Sequence, residues 1–295
     1  MAKKNYQVAV VGATGMVGQK IVEVLLKRNF PIAELKLLAS ARSADAKVNI
    51  NSREYVVEEA TPQALSEVDF AFFSAGEEVS RALAPEAVKR GAIVIDNSNA
   101  FRMEESIPLV IPEVNAKAAF KHQGLIANPN CSTIQMVMAI YPLHREAGLK
   151  RVVASTYQAV SGAGKEAWEE LENQSRAYLE GEEIVAERIP YKGASRHYQI
   201  AFNAVPQLDL FVEDGYTKEE MKMVHETRKI LGEPELKVTA TTVRIPVFNG
   251  HCESLNLEFK RPLTVQQARE TLARAPGLVV MDDPANLLYP MPVEV

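Results

Sequence analysis

Cysteine is scarce in this 295-residue chain: Cys131 and Cys252 are the only two. They can close at most one bridge, which excludes a disulfide framework, and two cysteines set so far apart offer no metal site. Long apolar runs are missing as well. None approaches the ~18 residues of a membrane span, and Met1-Ala2-Lys3-Lys4 leads directly into a strand-like run without a secretory signal. The chain therefore reads as cytoplasmic with no membrane partner, and the sequons at Asn130 and Asn173 have no secretory route to serve. A basic excess is absent too. The formal net charge is -5, where a general nucleic-acid surface carries a basic footprint, so nucleic acid is excluded and small molecules remain. There is no internal repeat, low-complexity tract or proline-rich linker. Two motifs are begun and not completed. Ser161-Gly162-Ala163-Gly164-Lys165 lacks the remaining P-loop positions, which are Ala159 and Glu166. His225-Glu226-Thr227-Arg228 starts like a zinc-protease helix, but position 229 is Lys229 where the second histidine belongs.

What is present is the composition of a soluble globular protein, 47% hydrophobic and 24% charged, long enough for one large or two ordinary domains. The chain opens as strand, glycine turn and helix. Tyr6 to Val11 is short and β-branched, then GATGMVG places Gly12, Gly15 and Gly18 before a helical pattern through Ile21, Val22, Leu25 and Leu26. Glycine at such a turn lets backbone amides approach a phosphate, and the helix N-terminus holds its charge. The next strand, Glu34 to Ser40, ends in Ser40-Ala41-Arg42-Ser43, with no acid until Asp45. An NAD site usually places Asp or Glu there, whereas hydroxyls and a guanidinium suit the 2′-phosphate of NADP; the alternative is an ordinary polar loop. Strands at 69–74 and 92–96, with a helix between them, continue the alternation of a parallel, doubly wound α/β sheet. Ser74-Ala75-Gly76 and Asp96-Asn97-Ser98 fall at strand ends, where such sheets bind ligands. Arg102 follows shortly after.

The second half is organised on Asn128-Pro129-Asn130-Cys131-Ser132-Thr133, which runs into an apolar helix. Cys131 sits at the first turn, where unpaired N–H groups and the helix dipole favour thiolate. It is either a buried structural thiol or a nucleophile; the polar neighbours point to the nucleophile. A strand at 150–158, a helix over 165–180, an amphipathic helix over 217–231 and strands at 237–247 and 252–259 follow, an α+β texture. Glu219 and Lys222 share a face of the second helix, by default a surface pair. Arg244 and His251 stand at the ends of the last two strands. His251 is either a loop residue or the proton-transfer partner of Cys131.

These residues together resemble the aspartate-β-semialdehyde dehydrogenase family nearly end to end, through GATGMVG, LASARSA, FFSAG, VIDNSNAFRM, ANPNCSTIQ, QAVSGAGK, IAFNAVPQLD, EEMKMVHETRKIL and VRIPVFNGHCES. The resemblance implies an NADP-binding domain over 1–129 and a catalytic and dimerisation domain over 130–295, working as a homodimer in lysine, threonine and methionine biosynthesis. It implies Cys131 as nucleophile, His251 as general acid/base and Gln158 as the residue that orients the acyl group. Arg244 would grip the substrate carboxylate, Glu219 would face its amino group, and Lys222, Arg102 and Asn130 would hold phosphate. Cofactor contacts would come from Gly12, Thr14, Gly15, Met16, Val17, Ser40, Arg42, Ser43, Ser74, Ala75, Gly76, Ser161 and Gly162. No metal is implied. The implied substrates are L-aspartate-β-semialdehyde, β-aspartyl phosphate and inorganic phosphate. Two departures stand out. Asp45 replaces a glycine near the 2′-phosphate tip, and a last strand and return helix of the family would lie beyond Val295. The rivals are the related N-acetyl-γ-glutamyl-phosphate reductases and a truncated, non-catalytic dimeric binding protein.

Overall fold

The structure is a computed structural model that describes residues 5–50 and 53–293; the Met1–Lys4 lead read above lies outside the described residues. The chain divides into two compact units, Met1–Pro129 and Asn130–Val295.

In the first unit β1 (Tyr6–Val11) is followed by α1 (Met16–Lys27) and β2 (Ile32–Ala39). Val8, Ala9 and Val10 are wholly buried, which is what a central parallel strand covered on both faces requires. Val22 and Leu25 of α1 close one side of this core with Leu37, Tyr55 and Val57. Next come β3 (Lys47–Ile50), β4 (Arg53–Glu59), β5 (Phe70–Phe73), α2 (Glu77–Lys89), β6 (Ile93–Asp96), the short α3 (Pro112–Asn115) and β7 (Leu125–Ala127). Sheet order is β3-β4-β2-β1-β5-β6-β7. All of its pairings are parallel except β3 with β4. The sequence reading contains neither this antiparallel margin nor β7. The β4 strand buries only Tyr55 and Val57, with an exposed Val56 between them, and β7 has three residues, so neither shows a period long enough to read. Because β2 and β5 flank β1, the order reverses there. Gly12, Ser40, Ser74 and Asn97 each follow directly on a strand and lie along one edge of the sheet.

The second unit contains α4 (Cys131–Ala147), β8 (Leu149–Gln158), α5 (Lys165–Glu180), α6 (Lys218–Leu231), β9 (Lys237–Arg244), β10 (Cys252–Phe259) and α7 (Val265–Ala273). Its sheet runs β10-β8-β9, with β8 parallel to β9 and antiparallel to β10. Met136 and Ile140 of α4 and Met223 of α6 pack on Val152, Ala154 and Ala240 of the sheet. Each such buried side chain contributes roughly 1.5–3 kcal/mol. Alternation along β8 buries Val152, Ala154, Thr156 and Gln158 and turns Arg151 and Tyr157 outward, so Gln158 closes the covered face. Register sets Gln158 beside Arg244 and Tyr157 opposite Cys252. The ends of β8 and β9 and the start of β10 therefore meet at one margin, with His251 directly before it.

Candidate active site

Asn130 caps α4. Its backbone is extended (φ -60°, ψ 146°), and its Oδ1 accepts the N–H groups of Ser132 at 3.0 Å and Thr133 at 3.2 Å. That cap makes Cys131 the first helical residue. The Asn130 Nδ2 donates to Glu219 Oε1 at 2.9 Å, and its backbone N–H donates to Glu226 Oε2 at 2.6 Å. Both acceptors stand on α6, which is itself docked by one carboxyl. Glu220 Oε2 accepts the Thr217 N–H at 2.7 Å to close a capping box, and Oε1 accepts the Thr242 N–H of β9 at 3.0 Å.

Across from the cap, Cys131 Sγ lies 3.4 Å from His251 Nε2. His251 Nδ1 accepts the Ala159 N–H at 3.0 Å, so the neutral ring carries its proton on Nε2, facing the sulfur. Ala159 also accepts Arg244 Nη1 on its carbonyl at 2.6 Å, so one residue at the end of β8 orients both side chains. Arg244 is only 6% exposed, and its buried Nε has no partner among the described residues. A guanidinium left so incompletely satisfied is a receptor for a planar anion such as a carboxylate. Gln158 Nε2 is 3.4 Å from Thr156 Oγ1 and 3.5 Å from Glu219 Oε1. Lys222 Nζ binds Glu219 Oε2 at 3.2 Å and Asp209 Oδ2 at 3.1 Å.

The charges perturb one another. Burial pushes the Cys131 thiol up and the Glu219 carboxylate pushes it further; the contacts of Ser132 and the Arg244 cation pull it down without prevailing. The expectation that the helix start favours thiolate is thus corrected: Cys131 is exposed on one side, yet protein and a carboxylate crowd the sulfur. Burial, then Arg244, lowers His251 to about 4, with Glu219 opposing. For Glu219 itself burial acts upward, but Lys222, the Asn130 hydrogen bond and Arg244 hold it below its ordinary value. Lys222 is likewise penalised by burial, and Glu219 and Asp209 together keep it raised.

Cys131, His251, Gln158, Arg244, Glu219, Lys222 and Asn130 are therefore gathered within the second unit. Gly162 belongs there too. A side chain built on it would come within 3.1 Å of Arg244 Nη1 and 3.2 Å of His251 Nε2, so the glycine keeps the space before the ring open. Its neighbour Ser161 shares the short turn Val160–Ala163 and donates its N–H to the Phe248 carbonyl at 3.2 Å. Arg102 lies in the first unit, buried, with Nη2 donating to the Asn97 carbonyl at 2.9 Å.

The remaining predicted cofactor residues are also in the first unit. Gly12 has φ +86°, and a Cβ there would sit 2.5 Å from the Ser74 carbonyl oxygen, so only glycine fits this close approach. Gly15 and Gly76 begin α1 and α2 with no side-chain cap. The first amides of α1, at Met16 and Val17 beyond Thr14, thus receive no acceptor from a cap side chain. Ser40 leads into the single turn Ala41–Ser43, which presents an exposed Arg42. These features fit a dinucleotide whose phosphates lie along this edge. Asp45 follows at φ +65°.

Comparison with known proteins assigns the chain. Residues 7–122 match the family described as "Semialdehyde dehydrogenase, NAD binding domain", and residues 140–295 match "Semialdehyde dehydrogenase, dimerisation domain". The aspartate-semialdehyde dehydrogenase of Bacillus subtilis is 55% identical over 292 residues, 99% of this chain and 84% of that protein. The chain belongs to the aspartate-semialdehyde dehydrogenase family. Among solved members, aspartate semialdehyde dehydrogenase II of Vibrio cholerae, complexed with ASA, superposes with a TM-score of 0.87 at 43% identity. That match covers 93% of this chain and 80% of that one. The Candida albicans enzyme with NADP gives 0.66 at 26% identity, covering 92% and 76%. Among the described residues no His, Cys, Asp and Glu cluster could hold a metal, and no helix is long and apolar enough to cross a membrane.

For this family member, sequence reasoning passed over Ala159, Asp209 and Glu226. Ala159 acts through its backbone, which side-chain chemistry cannot flag. Asp209 meets Lys222 from a loop. Glu226 could have been found, since Glu219, Lys222 and Glu226 are spaced i, i+3, i+7 and share one face of α6.

Proposed function

We propose that the protein is a phosphorylating, NADP-dependent aspartate-semialdehyde dehydrogenase in which Cys131 carries the acyl group. It interconverts L-β-aspartyl phosphate and L-aspartate-β-semialdehyde, as a homodimer in the cytoplasm. The observation that carries this reading is the 3.4 Å pairing of Cys131 with His251 beside a buried, incompletely satisfied Arg244 and a carboxylate at Glu219. Arg244 takes the substrate α-carboxylate in its fork, Glu219 takes the ammonium, and Lys222 with Asn130 takes phosphate. The Cys131 thiol gives its proton to solvent as its sulfur adds to the aldehyde carbon, and His251 Nε2–H hydrogen-bonds to the oxygen that becomes charged. When bound, NADP would supply the hydride acceptor in this direction and the hydride donor in the biosynthetic one. Phosphate then attacks the resulting thioester, and Cys131 departs as thiolate. To accept a proton in any step His251 has to release the Ala159 N–H, because both nitrogens of an imidazolium are donors.

The test is NADPH formation by absorbance from L-aspartate-β-semialdehyde and NADP⁺, with and without inorganic phosphate. Phosphate-dependent turnover is expected, and Cys131→Ser abolishes it while leaving NADP binding intact. Wild-type-like rates from that variant, or no turnover by the folded wild type, would overturn the assignment.

A further inference from the structure

Among the described residues of the second unit, three α-helices begin on a polar N-cap side chain, and two of them close a complete capping box. In α6, Thr217 and Glu220 satisfy each other's backbone N–H groups, and in α7 Thr264 and Gln267 do the same. A box needs a long acceptor three residues after the cap, able to reach back to the cap N–H. In α4 that position is Thr133, whose hydroxyl is buried and has no partner among the described residues. The helix that bears the nucleophile cannot close its own box. Its acceptor comes from 96 residues away instead: Glu226 Oε2 takes the Asn130 N–H in a short hydrogen bond of 2.6 Å.

We infer that Glu226 is a positioning residue for catalysis, a capping-box acceptor supplied by α6 that sets where Cys131 stands before His251. The inference rests on Cys131 being the nucleophile. Glu226 is 1% exposed and enters the site through the peptide it holds. Asn130 is gripped at two points from α6, its amide by Glu219 at 2.9 Å and its backbone by Glu226, and Cys131 is the next residue. Within α4, Asn130 is tied through Oδ1 and through its carbonyl, which accepts the Ile134 N–H at 2.9 Å, while its own N–H is held by Glu226. The contact to Glu226 thus holds the entry side of the cap, with the sulfur 3.4 Å from the ring nitrogen. Displacement of a reacting atom by about 1 Å is enough to lose roughly 100-fold in rate.

Three substitutions separate placement from charge and from simple loss of fold. Glu226→Gln keeps an acceptor oxygen at the same reach without the charge, whereas Glu226→Asp keeps the charge and withdraws it by one methylene. Glu226→Ala removes both. Each is measured for kcat and KM in the phosphate-dependent assay, for thermal unfolding, and for the pH profile of Cys131 alkylation by iodoacetamide. Placement predicts that Gln retains kcat within about 3-fold, while Asp and Ala lose about 10- to 100-fold with KM for the semialdehyde nearly unchanged and an altered alkylation profile. Wild-type kcat in Glu226→Asp overturns the inference, as does equal loss in Gln and Asp. If Glu226→Ala does not fold, the Gln and Asp pair decides alone. The alkylation profile stands apart from turnover, so failure of the nucleophile assignment and failure of the positioning role are told apart.

Discussion

Glu253 offers a direct test of how this fold handles a buried carboxyl. It lies on β10 opposite Thr156, accepts Gln135 Nε2 of α4 on Oε1 at 2.8 Å, and leaves Oε2 buried without a partner among the described residues. Burial raises it to about 8, against the hydrogen bond from Gln135, so near neutrality the folded protein keeps this proton. The unfolded chain releases it near the ordinary 4.5. Between these two values the folded state binds more protons than the unfolded one, and stability falls as pH rises, by about 1.4 kcal/mol per pH unit for one proton. Over the whole window the loss is at most about 5 kcal/mol. Glu253→Gln mimics the protonated form, retains an acceptor for Gln135 and does not titrate. Urea unfolding at fixed protomer concentration, at pH 5.5 and 7.5, should show the variant gaining on the wild type by up to about 2.7 kcal/mol between the two conditions. Other titrating groups cancel in this difference. An equal stability difference at both pH values, or a variant that loses ground as pH rises, would refute the account of a proton held by burial.

Three further perturbations follow from the site. Arg244→Lys exchanges a planar fork for a point charge, so the apparent KM for the semialdehyde should rise more than 10-fold, with kcat less affected; an unchanged KM removes Arg244 from carboxylate binding. Glu219→Gln removes the carboxylate that pushes the thiol up, so the midpoint of Cys131 alkylation against pH should move down in the free enzyme. A midpoint that stays or rises contradicts the assigned electrostatics. Gly12→Ala forces a Cβ to 2.5 Å from the Ser74 carbonyl at φ +86°, and titration with NADP should show at least 10-fold weaker binding together with a lower Tm. Wild-type affinity there would detach the glycine loop from the cofactor.

Much of the architecture was legible because the elements that matter carry strong local patterns. The YQVAVV run, the glycine turn and the amphipathic α6 each announce their period and their ends, and Thr217 with Glu220 spells out a helix start. The β3–β4 margin was not legible. Its strands are short, KVNI and REYVVEE, the second an apolar run of three between paired charges, and what makes them strands is pairing beside β2, a tertiary fact. The same holds for Ala159. Nothing about an alanine points to a catalytic site, yet its backbone holds Arg244 and His251 because β8 ends there and β9 and β10 end and begin alongside it.

The thiol marks where local reasoning reaches its end. A cysteine at a helix start meets N–H groups and a dipole that favour thiolate, and that influence is present here through Ser132. It is outweighed first by burial of the sulfur and then by a field assembled from residues far apart in the chain. Glu219, 89 positions from Asn130, is brought against the α4 cap by the same hydrogen bond that orients the cap. One carboxylate thereby does opposite things to two neighbours, keeping Lys222 charged and Cys131 protonated. Any cation that meets Glu219 weakens its push on the sulfur. The identity of the residue facing Glu219 therefore helps decide how far the helix start can express its preference for thiolate.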